Sequence, residues 1–260
     1  MLLKVLFIGD IFGKPGRKSV EKFLPLALAQ HPADIVIANC ENAAGGKGMS
    51  LEIYKELKAL GVDGFTGGNH IWDKKNFLTE VDQCPDLVRP INYPKRQPGQ
   101  GWTLLSKSKV PVVIASAAGR VFMNPANDPF EAVDHALPDM QIKAKIILLD
   151  MHAETTSEKA IMAWHFDGRV SAVLGTHTHV QTADERVLPQ GTAFISDVGM
   201  CGSRDSIIGA ERDGAIEGML SGIKQHPEPA KGPLQFCAAY LTIDTESGKS
   251  LSIQRVYLCE

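Results

Sequence analysis

One stretch of the sequence decides how the chain is expected to fold: Val170-Ser171-Ala172-Val173-Leu174-Gly175-Thr176-His177-Thr178-His179. Its apolar first half is typical of a strand buried on both faces, and the glycine should end that strand. In an extended chain, residues two apart point to the same side, so both imidazoles can reach one polar site. Neutral imidazole is the commonest protein metal ligand, although two hydrogen-bonded histidines at a strand end give the same pattern.

The composition is that of an ordinary globular chain. Its 260 residues are 44% hydrophobic and 22% charged, and we expect a single domain spanning residues 1–260. A formal net charge of −3 does not provide the clustered basic face that duplex nucleic acid requires, so no such partner is expected. A local positive patch for a small anion remains compatible with this charge.

The cysteines and the N-terminus indicate a cytoplasmic protein. The five cysteines are widely spaced and lack any Cys-x-x-Cys pattern, so neither a disulfide framework nor a thiolate zinc site is expected. Residues 1–8 are apolar but include Lys4, and they are too short for a secretory signal. No run approaches the ~20 apolar residues that cross a membrane.

The same unit recurs along the chain: a short apolar run, a polar or glycine-rich stop, and often an amphipathic helix. Besides the quoted stretch, strands are expected at 5–8, 35–38, 62–66, 110–114, 145–149 and 192–196, and a hairpin at 234–243 and 251–258. Helices are expected after residue 17, after a cap at Ser50, at 131–137, and after Thr155, which has capping-box spacing to Glu158.

Residues 73–140 interrupt this regular alternation. Prolines at 85, 90, 94 and 98 indicate a surface excursion with one short helix at most within residues 73–108. A second irregular segment leads into the helix at 131–137. Because long loops of this kind often act as lids, residues 119–137 are the candidate for one.

Polar side chains follow the ends of several predicted strands. They are Asp10, Glu41, Asn42, Asn69, His70, His152, His177 and His179. In open α/β sheets ligands bind at the carboxyl ends of strands, so residues far apart in sequence can meet there. Turn propensity also explains Asp10, Asn42 and Asn69, but it does not explain the glutamate and the histidines. The whole set therefore predicts a metal site.

The ordered motifs resemble those of the calcineurin-like metallophosphoesterases. They are Gly9-Asp10, Glu41-Asn42, Gly68-Asn69-His70, His152 and Gly175-Thr176-His177-Thr178-His179. Within that superfamily, residues 9–17, 41–46 and 150–154 look like the bacterial YmdB-like cyclic-nucleotide phosphodiesterases. The resemblance implies a four-layer α/β/β/α sandwich of two mixed β-sheets flanked by helices, with two metal ions at the sheet edge.

Roles for these residues follow from two-metal chemistry, and the family pattern supports them. Two ions about 3.5–4 Å apart need a bridging carboxylate, for which Glu41 is best placed. Asp10, Asn42 and His179 would complete the first ion's ligands, and Asn69, His152 and His177 those of the second. A hydroxide bridging the ions would be the nucleophile. His70 would protonate the leaving ribose oxygen, unless it is merely a helix N-terminal histidine bonded to backbone.

The chain departs from the superfamily pattern at two positions. Phe12 stands where the pattern has a histidine, and Glu41 stands where it has aspartate. As the YmdB-like resemblance implies, Asn42 can replace the missing histidine. Because this donor set is rich in oxygen, iron or manganese is expected, with zinc and magnesium left open.

Other polar or aromatic residues have plainer explanations. Lys14, Arg17 and Lys18 are best explained as a solvated helix start, and Arg120 in the lid-like loop is similar. Asp150 and Asp184 can orient ligand histidines or be simply exposed. Base stacking is an alternative to burial for Trp72, Phe122 and Met123. His31, His135, His165 and His226 are expected to be structural or on the surface. No substrate-binding residue is assigned.

The sequence thus predicts a metal-dependent phosphoric ester hydrolase acting on 2′,3′- or 3′,5′-cyclic nucleotides or another small phosphodiester. A phosphomonoesterase of the same fold is one alternative. A metal- or nucleotide-binding regulatory protein without turnover is another, for which Phe12 is the supporting feature. A mononuclear zinc amidohydrolase is a third. Base rates alone favour a homo-oligomer.

Overall fold

Two β-sheets lie face to face, and helices cover the outer side of each. The structure is a computed structural model that describes residues 1–105, 110–223, 225 and 228–260. Both sheets contain parallel and antiparallel strand pairs. The four-layer α/β/β/α sandwich of two mixed sheets is therefore confirmed.

The elements of the described chain are as follows. The strands are β1 (Leu2–Ile8), β2 (Asp10–Ile11), β3 (Ile35–Asn39), β4 (Gly64–Thr66), β5 (Leu87–Val88), β6 (Trp102–Leu105), β7 (Val112–Ala118), β8 (Ile146–His152), β9 (Ala172–Thr176), β10 (Arg186–Val187), β11 (Ala193–Ile195), β12 (Met200–Ser203), β13 (Leu234–Asp244) and β14 (Ser250–Cys259). The helices are α1 (Gly13–Gln30), α2 (Leu51–Ala59), α3 (Phe77–Glu80), α4 (Pro129–Lys143), α5 (Thr156–His165) and α6 (Arg212–Ser221).

Parallel strands form one side of the first sheet, from β1 to β5, and the middle of the second sheet, from β11 to β7. The first sheet has the order β2-β12-β13-β1-β3-β4-β5, and β14 pairs with β13 in the expected C-terminal hairpin. The second sheet has the order β10-β11-β9-β8-β7-β6, with antiparallel pairing at both edges. The segments that follow β3, β4, β8 and β9 meet at one edge of the sandwich, where the candidate site lies.

Alternation along the strands assigns each apolar side chain to one of three layers. Phe7 and Leu148 pack between the two sheets. Their neighbours Ile8 and Leu149 point the other way, towards the helices that cover the first and the second sheet, respectively. Residues of even number on β8 therefore face the layer between the sheets. The same alternation turns Asp150 and His152, near the end of β8, to that side.

The predicted helix caps are confirmed. The Ser50 hydroxyl accepts a hydrogen bond from the backbone N–H of Ile53 at the start of α2. The Thr155 hydroxyl accepts one from the backbone N–H of Glu158 at the start of α5. Gly61 follows α2 with a φ of 101°, a conformation in which a glycine carries no steric cost.

Two helices are longer than predicted. Helix α1 begins at Gly13, so the residues expected to precede it form its first turns. Helix α4 starts before the predicted 131–137 because Asp128 accepts from two backbone N–H groups of its first turn and Pro129 suits that position. It continues past Pro138 because Met140 is buried against the second sheet.

Residues 73–140 are more regular than predicted. Strand β6 pairs with β7, which runs to residue 118 rather than ending at 114 because residues 116–118 pair with 150–152 of β8. Residues 106–109 of this region lie outside the described residues. A lid at 119–137 stays a prediction. Two elements were not predicted. Strand β12 is short and contains a glycine, and helix α6 has no buried residue that would give an apolar pattern.

All five cysteines are free thiols, and Cys259 is the exposed one. Among the described residues, no helix combines the length and the apolar character that crossing a membrane would need.

We expect the layer between the sheets to dominate stability. Leu148 is 1% exposed there, whereas Leu251 on β14 is 58% exposed. Leu148→Ala should lower the free energy of unfolding by about 2–5 kcal/mol, because it leaves a cavity in a packed layer. Leu251→Ala should change it by less than about 0.5 kcal/mol. Urea denaturation of the metal-stripped protein measures both, and equal effects would contradict this account of the core.

Candidate metal centre

A buried carboxylate closes the inner layer below the candidate site. Asp150 Oδ1 accepts a hydrogen bond from the Thr176 hydroxyl at 2.6 Å, and Asp150 Oδ2 accepts one from Asn39 Nδ2 at 2.9 Å. Oδ2 also accepts from the Thr66 hydroxyl. Each of the four residues ends or nearly ends a different strand, and all four are 0–1% exposed. Four strands, two from each sheet, are thereby linked through the Asp150 carboxylate.

The hydrogen bonds of Asp150 also determine the orientation of His152. The Thr176 hydroxyl gives its proton to Asp150, so its oxygen accepts from His152 Nδ1 at 2.8 Å. In its neutral form His152 therefore carries its lone pair on Nε2, which faces the site. The prediction that Asp150 orients a ligand histidine holds, through Thr176. Asp184 instead accepts from Ser196 and Thr182 and contacts no ligand histidine.

Four predicted ligands converge around His152 Nε2. It lies 3.1 Å from Glu41 Oε1, 2.9 Å from Asn69 Oδ1 and 3.1 Å from His177 Nδ1. Ligand atoms of Glu41, His152 and His177 all lie within 4.8 Å of one another, a spacing that suits a single cation.

The remaining predicted ligands form a second group on the other side of Glu41. Asn42 Nδ2 lies 3.1 Å from Glu41 Oε1 and 3.2 Å from His179 Nε2. His179 Nε2 lies 3.7 Å from Asp10 Oδ1. All seven residues predicted to bind metal are thus brought together, with Glu41 between the two groups.

Two oxygen atoms in the second group test whether a cation fits. Asp10 Oδ1 and Asn42 Oδ1 are buried and have no hydrogen-bond partner among the described residues. A buried acceptor without a partner costs about 1–3 kcal/mol. Because a cation coordinated by these oxygens would remove that cost, the donors fit a metal at this position.

In two of the candidate ligand histidines, the ring nitrogen that faces away from the site has a hydrogen-bonding partner. His179 Nδ1 donates to the carbonyl oxygen of Ile208 at 2.8 Å, which leaves Nε2 free towards Asp10. His177 Nε2 lies 3.1 Å from a Glu154 carboxylate oxygen, which leaves Nδ1 free towards His152. Metal-binding histidines usually donate their second ring N–H to such a partner.

The charges of the protein groups are strongly coupled. Burial raises the pKa of Asp10 to about 7, although His179 and His152 oppose this. Burial also acts to raise the pKa of Glu41, but the charge of His152 prevails and holds it at about 2. For His152, burial lowers the pKa, yet Glu41 prevails and raises it to about 9. Burial and the neighbouring His152 lower the pKa of His177 to about 3.

The two histidines of the quoted stretch are not on an extended strand, which corrects the prediction. Strand β9 ends at Thr176, and His177 and His179 have φ angles of 97° and 66°. Their rings consequently diverge, His177 towards His152 and His179 towards Asp10. The predicted division of the pair between two groups is present, but left-handed backbone produces it rather than strand alternation.

A buried ion pair holds this strained loop. Asp197 Oδ2 accepts from the backbone N–H of Thr178 at 3.0 Å and from its hydroxyl at 2.7 Å. The same oxygen lies 2.9 Å from Lys159 Nζ, and both side chains are at most 1% exposed. Thr178 is thereby fixed between the two histidines.

Two glycines let backbone approach the site. A Cβ at Gly175 would lie 1.8 Å from the Ser196 carbonyl oxygen. One at Gly68 would lie 2.3 Å from His152 Nε2 and 2.4 Å from Glu41 Oε2. Residue 68 must therefore be glycine for these two ligands to keep their positions.

His70 lies at the rim and outside the ligand groups. Its backbone N–H donates to Glu41 Oε2 at 2.8 Å, and its Nδ1 lies 2.9 Å from Asp73 Oδ2. It stands in a turn after β4 and not at a helix start, which removes that simpler explanation. Its side chain is 28% exposed, as a group that meets substrate must be.

Phe12 does not leave a gap in the ligand set. Its ring meets His179 edge to face, with centroids 5.5 Å apart, and its Cζ would lie 3.0 Å from a Cβ on Gly46. Asn42 Nδ2 lies 3.2 Å from His179 Nε2, so this side chain is close enough to replace the histidine, and its role as a ligand stays a prediction.

Sequence reasoning missed several supporting residues. They are Asn39, Thr66, Thr176, Glu154, Lys159, Asp197 and Gly68. Strand alternation could have identified Asn39 and Thr176. Each is the last residue of its strand and lies on the same face as the apolar residues that point between the sheets.

Other candidates have the plain roles expected, or none here. Arg120 pairs with Asp128, and the Trp72 indole donates to Gln97. Phe122 is 88% exposed. His165 pairs with Asp134, and His31 with Gln254. His226 lies outside the described residues.

Known proteins resemble this chain over nearly its whole length. A family profile described as YmdB-like protein matches residues 6–256. A Bacillus subtilis (strain 168) protein named 2′,3′-cyclic-nucleotide 2′-phosphodiesterase is 40% identical over 256 residues, which cover 98% of this chain and 97% of that protein. A crystal structure of a Mycoplasma pneumoniae phosphatase has a TM-score of 0.93 at 35% identity, covering 100% of this chain and 94% of that one. A candidate 5′-nucleotidase from Staphylococcus aureus shares the fold alone, with a TM-score of 0.61 at 13% identity, covering 99% of this chain and 54% of that one.

Thr176→Val should weaken metal binding by about 10- to 100-fold, because it removes the acceptor that fixes His152. Thr192→Val is the matched control. Thr192 is equally buried and hydrogen-bonded, but its hydroxyl donates to the Val170 carbonyl oxygen and accepts from the Gly168 backbone N–H, away from the candidate ligands. Calorimetric titration with Mn²⁺ should show lost affinity for the first variant alone. Equal affinities in the two variants would contradict the role of Thr176.

Proposed function

This chain belongs to the YmdB-like protein family, and from that membership we propose that it is a dinuclear metal-dependent phosphodiesterase that opens 2′,3′-cyclic nucleotides. The observation that carries the proposal is the convergence of seven donor residues in two groups that share Glu41. A relative named as a 2′-phosphodiesterase, 40% identical over nearly its full length, supports the choice of substrate.

The donor set is the basis for two ions. Asp10, Asn42 and His179 would hold one, Asn69, His152 and His177 the other, and Glu41 would contact both. Four oxygen donors beside three imidazoles favour iron or manganese, with zinc and magnesium left open. When bound, the ions would act as Lewis acids on the phosphoryl oxygens and lower the pKa of the attacking water. A mononuclear amidohydrolase is disfavoured, since it would leave the unpaired oxygens of Asp10 and Asn42 without a role.

The reaction consumes one water. Its oxygen forms a bond to phosphorus, the bond from phosphorus to O2′ breaks, and a proton is placed on O2′. The product is a nucleotide with a 3′-phosphomonoester and a free 2′-hydroxyl. The same residues can act on a 3′,5′-cyclic ester only if the ribose is turned so that another oxygen leaves.

His70 is the residue proposed to supply that proton. Asp73 at Nδ1 fixes the ring orientation, while Nε2 remains available for proton transfer to the leaving oxygen. The His70 backbone N–H donates a hydrogen bond to Glu41 Oε2. This bond fixes the position of His70 relative to the carboxylate proposed to contact both ions.

A phosphomonoesterase is the second candidate, since a structural relative at 35% identity is described as a phosphatase. Such an enzyme would share the metal groups and differ in how the ester is held. The non-catalytic alternative is less well supported, because the Asn42 side chain lies 3.2 Å from His179 and could supply the donor that Phe12 lacks. A homo-oligomer and a cytoplasmic location stay predictions from the sequence.

A substrate panel separates the two enzymatic candidates. With Mn²⁺ present, kcat/KM for 2′,3′-cyclic AMP should exceed that for 3′-AMP and for p-nitrophenyl phosphate by at least about tenfold, because O2′ is the leaving group that the site is proposed to protonate. Phosphate release and chromatography of the nucleotide products measure this. Faster release of phosphate from 3′-AMP than opening of the ring would favour the phosphomonoesterase.

His70→Ala should lower kcat for 2′,3′-cyclic AMP by about 10²–10⁴-fold, the usual contribution of general acid catalysis. The loss should be smaller for bis-p-nitrophenyl phosphate, whose leaving group needs no proton. His165→Ala, which removes a surface histidine that also pairs with an aspartate, is the matched control and should leave both rates unchanged. Equal losses on the two substrates would show that His70 acts otherwise.

Glu41→Gln should remove both ions, whereas Asn69→Ala should remove chiefly the second, because Glu41 alone lies in both groups. Elemental analysis after dialysis should give about two ions per wild-type chain. One ion in the wild-type protein would overturn the dinuclear proposal.

A further inference from the structure

A large cavity lies beside the metal centre and is not used by the chemistry described above. Its volume is about 920 Å³, and it opens between the start of α1, residues 44–45, residue 74 and residues 228–234. Cavities that bind drug-sized ligands usually measure about 300–1,000 Å³, so this one has room for more than a single phosphate.

The charge of this cavity differs from that of the rest of the chain. Five basic side chains from three separate segments line it: Lys14, Arg17, Lys18, Lys74 and Lys231. Glu228 is its one acidic lining residue among those described. The whole chain carries a formal charge of −3, so the cluster is a local departure from the average. The expectation that the first three residues are merely a solvated helix start did not include the two lysines that folding adds to them.

Most of this charge is uncompensated. Arg17 pairs with Glu56 and donates to the Ala43 carbonyl oxygen, so it serves the structure. The four lysines are exposed, and within the described residues none of them has an ion pair or a side-chain hydrogen bond. Beneath them, Pro15, Ile53 and Leu234 give the cavity an apolar wall. Cations above an apolar surface suit a ligand that carries both phosphates and flat apolar groups.

The cavity adjoins the metal centre through the two segments that carry site residues. Ala44 in its wall stands two positions after Asn42, and the Asn42 carbonyl oxygen accepts from the backbone N–H of Gly13 at 2.8 Å. Lys74 directly follows Asp73, the partner of His70. None of the candidate ligands lines the cavity itself, so a ligand that fills both places must cross the loop at residues 42–45.

The chemistry of the substrate indicates what would extend in this way. A 2′,3′-cyclic phosphate ends a ribonucleotide, and the 5′ oxygen of the same ribose is free to continue into a strand. Each further nucleotide adds one negative phosphate and one apolar base. Sequence-tolerant sites for single strands combine a cationic groove with apolar faces, and this cavity has both.

We propose that the cavity binds the 5′-side phosphates of a single-stranded oligoribonucleotide whose 2′,3′-cyclic end lies at the metal centre. The inference rests on the proposed function, and it makes RNA ends, rather than free mononucleotides, the preferred substrate class. A reaction that cleaves RNA through attack of the 2′-hydroxyl must then supply the substrate. The single strand also agrees with the absence of the broad basic face that a duplex needs.

The test compares two substrates in one protein. We would measure kcat/KM for 2′,3′-cyclic AMP and for a hexaadenylate ending in a 2′,3′-cyclic phosphate, from 50 to 300 mM salt. Wild-type protein should prefer the hexamer by at least about tenfold at low salt, and this preference should fall with salt with a slope of about −0.7 per phosphate bound. A wild-type protein that opens the mononucleotide but shows no preference would overturn the inference and leave the proposed function intact. Failure on both substrates would instead refute the proposed function.

The variant Lys14→Gln/Lys18→Gln/Lys74→Gln/Lys231→Gln removes the uncompensated charge without touching the ligand groups. It should lose the preference for the hexamer and most of the salt slope, and keep the wild-type rate on the mononucleotide. A matched control neutralises four exposed lysines elsewhere, Lys4, Lys95, Lys143 and Lys249. Equal losses in the two quadruple variants, or an equal loss on both substrates, would show that the cavity does not hold the strand.

Discussion

The hydrogen bonds of the Asp150 carboxylate are the constraint on which the site depends. An apolar layer between two sheets must end somewhere, and at this edge it ends in buried polar groups that need partners. Asp150 supplies acceptors for Asn39, Thr66 and Thr176, each from a different strand. His152 then rests on Thr176, and the first group of ligands is arranged around His152. The same few side chains therefore end the apolar layer and position the candidate site.

The position of each ligand follows from how its strand ends. Glu41 and Asn42 leave β3 through a loop that is bonded to the start of α1. Asn69 follows a glycine that allows backbone close to His152. The last two histidines depend on the Lys159–Asp197 pair, which reaches from an outer helix to the inner end of β9. Removing one partner of such a buried pair leaves an uncompensated charge, so the loop is held by an interaction that is costly to break.

The sequence predicted the strands, and which polar side chains gather at their ends, better than it predicted the geometry of those side chains. Apolar runs identify a buried strand whatever its neighbours are, and a histidine or glutamate just after one has no packing explanation. The role of Asn39 depends on its position opposite Asp150 of another strand. A sequence alone does not show which residues of two strands lie opposite each other. The same limit hid the cavity, whose lysines at 18, 74 and 231 are adjacent only after folding. The orientation of His177 and His179 was mistaken because local sequence suggested an extended chain, whereas Asp197 from a later segment imposes another backbone.

The left-handed backbone at His177 and His179 has a consequence for how this sequence can change. Such a conformation costs about 1–2 kcal/mol for a residue with a side chain and almost nothing for glycine. Glycine at either position would make the protein more robust and deprive it of an imidazole. Greater stability at these two positions would therefore come at the cost of two imidazoles that face the candidate site, so stability and the proposed chemistry make opposite demands on this loop.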